Sequence, residues 1–328
     1  MPGRLDPPGF SSRDHLLWAY LFSSMKFNLF ALVSLFYLLP SASISADAAV
    51  AVLHDLNYLE EGRSEKLDLY LPASSGRKLA PALVWIHGGG WTGGDKAQAR
   101  EKNIGHTLAQ AGYVVASINY RLGVGAWPQN LLDCKNAVRF LRAHAAQYGL
   151  DPNRIAVAGG SAGGHLALMV AFTAEQAWEP AKPYRGGSNV VQAVIDFYGP
   201  TNLLTRAETN AEGQPNGKLK AANTALVFGG SRNGDAQIWQ RGSPVHHVRS
   251  GLPPVFIAHG DKDATVDLGQ SIELAGVLEA AKIPHQFIVV KNAGHTFDLE
   301  TWNKQPLSLD LRASVIAFLA QHLPETAR

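Results

Sequence analysis

Apolar residues fall along this chain in short dense runs, separated by longer stretches in which they recur at helical spacing. The dense runs predict strands near 50–57, 65–71, 82–87, 113–119, 154–159, 191–198, 254–259 and 285–290. The helical spacing predicts helices near 97–111, 129–148, 162–174, 267–282 and 308–322. After the first two strands, strand and helix alternate. That order predicts an α/β fold: a mostly parallel eight-stranded sheet with helices on both faces. The first two strands have no helix between them and predict an antiparallel edge. Gly112 and Gly149 stand just past helical runs, where helix C-caps place glycine. Two stretches break the rhythm, 175–189 and 201–250. The second is long enough to form a lid, the alternative being a solvated loop with short helices.

The N-terminal pattern is different. Met25-Lys26 is followed by F-N-L-F-A-L-V-S-L-F-Y-L-L and then P-S-A-S-I-S-A-D-A. One positive residue, an apolar run of about a dozen and then small residues form a secretory signal peptide pattern. The apolar run is too short to favour a membrane span. Residues 1–46 are therefore expected to be a leader cleaved after Ala46 or Ala48, with the true start at Met25. The folded domain is expected over 50–323, outside the cytoplasm, either secreted or periplasmic. An uncleaved N-terminal anchor is the rival reading.

Composition narrows the classes. Lys and Arg number 29 against 27 Asp and Glu, and a net charge of +2 gives no reason to expect nucleic acid or an anionic membrane as partner. The lone cysteine, Cys134, rules out an intrachain disulfide. It stands in L-L-D-C-K-N-A-V-R-F-L and reads as a small buried apolar residue. The histidines are not at ligand spacing, and the side chains of the adjacent pair His246-His247 would diverge, so no metal and no cofactor is expected.

The candidate chemistry begins at Gly159-Gly160-Ser161-Ala162-Gly163. The apolar run R-I-A-V-A leads in and a helical run leads out. A Ser hydroxyl is a poor nucleophile unless it is lifted from the backbone and met by a base, and a G-x-S-x-G turn between strand and helix does the lifting. Ala162 then offers its N–H at a helix start, where a developing oxyanion is stabilised. A Gly-rich strand–helix turn also opens phosphate-binding folds, but no Lys follows Gly164. The partners decide between these. After the strand at 254–259 comes His259-Gly260-Asp261-Lys262-Asp263, and after the strand at 285–290 comes Ala293-Gly294-His295. An acid and a His past successive strand ends converge on the same sheet edge as Ser161. Asp263 is the candidate acid and His295 the candidate base. Asp261 is the rival acid, though it better suits a turn-shaping role.

Upstream, the strand at 82–87 runs into His87-Gly88-Gly89-Gly90-Trp91. Glycine N–H groups can face a substrate with no side chain in the way, so Gly89 and Gly90 join Ala162 as candidate oxyanion donors. His87 is expected to hold the loop, as is Asp95. Trp91 and Trp127 are candidate substrate contacts, with simple packing as the alternative.

The stretches H-G-G-G-W-T-G-G-D-K at 87–96, N-Y-R-L at 119–122, D-P-N-R-I-A-V-A-G-G-S-A-G-G-H-L-A at 151–167, D-F-Y-G-P at 196–200, H-G-D-K-D-A-T-V at 259–266 and A-G-H-T-F at 293–297 carry a resemblance. The chain resembles the bifunctional feruloyl/acetyl-xylan esterase group of α/β-hydrolases, related to the hormone-sensitive-lipase-like esterases. The resemblance covers roughly 50–323. It implies a carboxylester hydrolase with Ser161, Asp263 and His295 as its triad and the 87–90 loop with Ala162 as its oxyanion hole. Two departures separate the chain from the hormone-sensitive-lipase-like branch: Gly160 replaces the usual Asp, and no helical cap segment stands between the leader and Leu53. The expected substrate is a small-molecule or oligosaccharide ester with a short acyl group. An aryl-formamidase-like amide hydrolase, with its similar H-G-G-x-W loop, is the runner-up. A hydrolase fold that has lost catalysis and serves as a binding module stands far behind.

Overall fold

In the computed structural model the described residues run from Val50 to Pro324, apart from 74–77, 175, 177–181, 185, 207–223, 226, 231–233 and 300–306. The expected leader at 1–46 lies outside them, as do parts of the stretches 175–189 and 201–250.

The dense apolar runs form strands because both sides of the sheet are covered. In β3 (Ala80–Ile86), Ala82, Val84 and Ile86 enter one core, while Leu83 and Trp85 enter the other. The strand's two-residue period thus feeds two apolar layers at once. The same alternation runs through β5 (Leu150–Gly160) and β7 (Val255–Gly260). With β1 (Ala51–Leu56), β2 (Leu67–Leu71), β4 (Val114–Ile118), β6 (Ala193–Phe197) and β8 (His285–Val290) they make an eight-stranded sheet. Its order is β1-β2-β4-β3-β5-β6-β7-β8. Every pairing from β4 to β8 is parallel; β2 is antiparallel to both β1 and β4.

Helices α2 (Gln129–Ala143), α4 (Ala162–Phe172) and α6 (Gly269–Ala280) bury their apolar residues on one face. Helices α1 (Ala99–Gln110) and α7 (Leu311–His322) cover the other. The expected helix over 129–148 is divided. It pauses at His144, whose Nδ1 bonds the Phe140 carbonyl at 2.9 Å, and resumes as the short α3 (Ala145–Tyr148). Gly149 then turns the chain at φ +66°, and β5 begins at once, because Leu150 already pairs with Ala80. Within the described part of 201–250 lie a short helix, α5 (Ala236–Arg241), and a 3-10 turn at Pro244–His247.

The site follows from this order. The chain leaves β3 to form β4 on one side and returns past it to form β5 on the other. A crevice opens where the winding reverses, outside the carboxyl ends of the strands. The ends of β3, β5, β7 and β8 all meet that edge.

Candidate active site

Ser161 stands between β5 and α4 with φ +57° and ψ −122°. A left-handed backbone on a residue with a side chain costs on the order of 1–3 kcal/mol and persists only where its surroundings enforce it. Here the Ser161 N–H donates to the Phe197 carbonyl at 2.8 Å, and its own carbonyl accepts from His165 N at 3.0 Å. Gly163 makes the turn possible: a Cβ there would stand 2.0 Å from the Ile86 carbonyl oxygen.

His295 Nε2 lies 3.0 Å from Ser161 Oγ, and His295 Nδ1 lies 2.6 Å from Asp263 Oδ2. A carboxylate only accepts, so Nδ1 carries the proton and Nε2 presents its lone pair to the hydroxyl. Asp263 is held on its other oxygen by the N–H groups of Thr265 at 2.7 Å and Val266 at 2.9 Å. Burial alone would raise its pKa, but hydrogen bonds from His259 and His295 hold it well below the usual carboxylate range. Burial lowers the His295 pKa against the opposing pull of Asp263. Asp261 does not reach the histidine. Its Oδ1 accepts from Asn292 N at 2.7 Å and its Oδ2 faces Lys291 at 3.5 Å, so it fastens the loop after β8.

The glycine loop after β3 is fixed from below. His87 Nδ1 donates to the Gly88 carbonyl at 2.6 Å. Its ring stacks on Tyr120, whose hydroxyl donates to the His87 carbonyl at 2.9 Å. Gly89 and Gly90 follow at φ +115° and +61°. No described acceptor takes the N–H of either glycine. Ala162, as the first residue of α4, has no intrahelical partner for its N–H. Asp95 anchors the outer loop through Ala97 N at 2.7 Å and Asn119 Nδ2 at 2.8 Å.

These groups share a cavity of about 440 Å³ whose wall includes Ser161, His295, Gly89, Gly90 and Trp91. Trp127 does not line it. It packs instead on Phe228, with ring centroids 4.8 Å apart, and on His165. His165 is fully buried behind Ser161. It accepts from Trp91 Nε1 at 3.3 Å and donates through Nε2 to the Gly242 carbonyl at 2.6 Å. Burial pushes its pKa down to about 4, so this bridge is a neutral imidazole.

Three contributors escaped the sequence reading. His259, fully buried, places Nε2 3.2 Å from Asp263 Oδ2, beside His295. Tyr198 sets its ring edge-on to His295 at 4.7 Å and donates to the Phe297 carbonyl at 2.9 Å, fastening the loop that carries His295. Arg100, at the start of α1, enters the cavity wall. His259 and Tyr198 lie inside stretches quoted for other reasons; nothing in a helical pattern marks Arg100. Among the described residues no group of His, Cys, Asp and Glu is arranged to hold a metal ion.

A mostly parallel sheet in this order, with a strained serine, an acid and a histidine just past the ends of β5, β7 and β8, is the architecture of an α/β-hydrolase. The chain belongs to the BD-FAE family, whose model matches residues 67–278. It is 32% identical over 251 residues to esterase LipQ of Mycobacterium tuberculosis, covering 75% of this chain and 57% of that protein. The chain thus spans little more than half the length of the curated relatives it matches. Among solved structures it is similar to a truncated carbohydrate esterase from gut microbiota, at 26% identity and a TM-score of 0.71, covering 84% of this chain and 97% of that one. It is also similar to an acetyl ester-xyloside bifunctional hydrolase from Caldicellulosiruptor lactoaceticus, at 25% identity and a TM-score of 0.62, covering 78% and 88%.

Proposed function

We propose that this protein is an exported serine carboxylester hydrolase acting on short acyl esters, with Ser161 as nucleophile, His295 as general base and acid, and Asp263 as the orienting acid. The observation that carries this reading is the hydrogen-bonded row from Ser161 Oγ through His295 to Asp263, at 3.0 and 2.6 Å, opening on a cavity. His295 Nε2 takes the Ser161 proton as Oγ bonds to the ester carbonyl carbon. The carbonyl oxygen gains the charge and is held by the N–H groups of Gly89, Gly90 and Ala162. The alcohol leaves with the proton from His295. Water, activated by the same histidine, then releases the acid and restores Ser161.

The family and the carbohydrate esterase neighbours support an acetyl or feruloyl ester of plant polysaccharide as the natural substrate. The leader pattern from Met25 to Ala48 supports export. A short acyl preference rests on the cavity's size, since about 440 Å³ in which Trp91 is the only large apolar side chain among the described lining residues gives a long fatty chain little to bury against.

Ser161→Ala tests the assignment. Turnover of acetyl esters falls by several orders of magnitude, about 10⁴-fold or more, while substrate still binds. Near-normal turnover by the variant sinks the reading. A panel of acetylated xylan, feruloylated oligosaccharide, N-formylkynurenine and a long-chain triglyceride separates the alternatives. Strong activity on the formyl amide with weak ester activity favours an amide hydrolase instead.

A further inference from the structure

Arg100 brings a charged side chain into the cavity wall, and the mechanism makes no use of it. Its side chain is 13% exposed. Nε and Nη2 both donate to Glu101 Oε1, at 3.0 and 2.6 Å, and Nη1 makes only a long contact of 3.5 Å to the Tyr198 hydroxyl. A guanidinium carries five N–H donors in one plane. Two are taken firmly and one weakly, leaving one on each Nη atom without a described protein acceptor. Glu101 is fully buried beneath it and does not line the cavity. The carboxylate therefore fixes the plane of the fork without occupying its outer edge.

The position is as telling as the valence. The point where a Gly88 Cβ would stand lies 3.2 Å from Ser161 Cβ and 3.7 Å from Arg100 Nη2. The fork thus stands across the Gly88 position from the nucleophile, in the wall of the same cavity. A nearly buried cation with spare donors lowers its free energy when an acceptor arrives. Two adjacent parallel N–H groups fit the two oxygens of a carboxylate better than any single hydroxyl. No Asp or Glu stands among the described lining residues to repel one, and a second cation, Arg206, shares the wall.

Resting on the esterase reading above, we infer that Arg100 is a specificity residue that selects esters bearing a carboxylate a few bonds from the scissile carbonyl. The shared chemistry is a carboxylate; it can reside on the acyl or the alcohol part.

Two isosteric pairs test this on the full chain, followed by proton release at constant pH. Monoethyl succinate against ethyl 4-methylpentanoate places the carboxylate on the acyl side. 3-Acetoxypropanoate against 3-methylbutyl acetate places it on the alcohol side. In one pair kcat/KM is expected to favour the carboxylate by about tenfold or more, as a charge-assisted bidentate bond allows. Arg100→Lys keeps the charge but loses the fork, and the ratio for that pair then falls toward one. If that variant does not fold, the ratios of the unaltered protein decide. Hydrolysis of the neutral esters with no preference in either pair overturns the role of Arg100 and leaves the esterase reading standing. So does an unchanged ratio in a folded Arg100→Lys protein. Hydrolysis of none of the four overturns both.

Discussion

Replacing Asp263 by Asn changes no volume, yet it should be among the most damaging single substitutions in this protein. The carboxylate accepts on both sides. Oδ1 takes two backbone N–H groups, from Thr265 at 2.7 Å and Val266 at 2.9 Å. Oδ2 faces His295 Nδ1 at 2.6 Å and His259 Nε2 at 3.2 Å. An amide has one acceptor and one donor end. Backbone N–H groups cannot turn away, so the amide oxygen stays at the Oδ1 position. Its NH₂ then meets the N–H of His295. The histidine escapes the clash by moving its proton to Nε2, the atom that receives the Ser161 proton in the proposed mechanism. The substitution thus inverts the tautomer and removes the charge that stabilises the imidazolium. A change of this kind costs about 10⁴-fold in kcat in a serine protease triad, roughly 5 kcal/mol of barrier. The same loss is expected here.

Asp261→Asn is the matched control. Its carboxylate lies two residues away but serves Asn292 N and Lys291, and an amide oxygen can keep the first of these contacts. Its cost in kcat is expected to stay within a factor of about three, since the exposed ion pair contributes little. The assay is kcat on an acetyl ester for both variants, with circular dichroism to establish folding. A folded Asp263→Asn protein within tenfold of the parent would refute the argument. An Asp261→Asn protein more impaired than Asp263→Asn would move the orienting role to Asp261.

Three further outcomes follow from the buried titratable groups. Because the proposed base, His295, must be neutral and burial lowers its pKa, log kcat/KM against pH should fall on the acid side with a midpoint below 6.5; a midpoint above 7 would contradict this role. Asp196 is fully buried and burial pushes its pKa up to about 7, well above its unfolded value, so the stability it contributes is complete in acid and is lost as pH rises through 7. Asp196→Asn should therefore compare better with the parent at pH 8 than at pH 5 in chemical denaturation, and the reverse order would be fatal to this account. His165→Ala strands Trp91 Nε1 and the Gly242 carbonyl without partners and should cost about 3 kcal/mol or more of stability; a loss under 1 kcal/mol would mean that the bridge matters little.

What was legible in the sequence divides along a physical line. The strands of the sheet were readable because a strand buried on both sides must be apolar at nearly every position, as Ala82 to Ile86 are. The break of the helix at His144 and the early start of β5 were not, because both depend on pairing that no local pattern records, such as Leu150 with Ala80. The site shows the same division. Ser161, Gly89 and Gly90 stand where the backbone itself must take an unusual course, and such courses demand particular residues at fixed spacing. Asp263 and His295 follow strand ends, so the order of strands brings them to Ser161. His259 sits in an ordinary strand and Arg100 in an ordinary helix, while Tyr198 takes φ +45° at a residue type that does not announce it; only the fold sets the three against Asp263, His295 and the cavity. Residues that must bend the chain to reach the reacting atoms leave a mark in the sequence. Residues that hold those atoms in place, or choose what meets them, reveal themselves only in the folded structure.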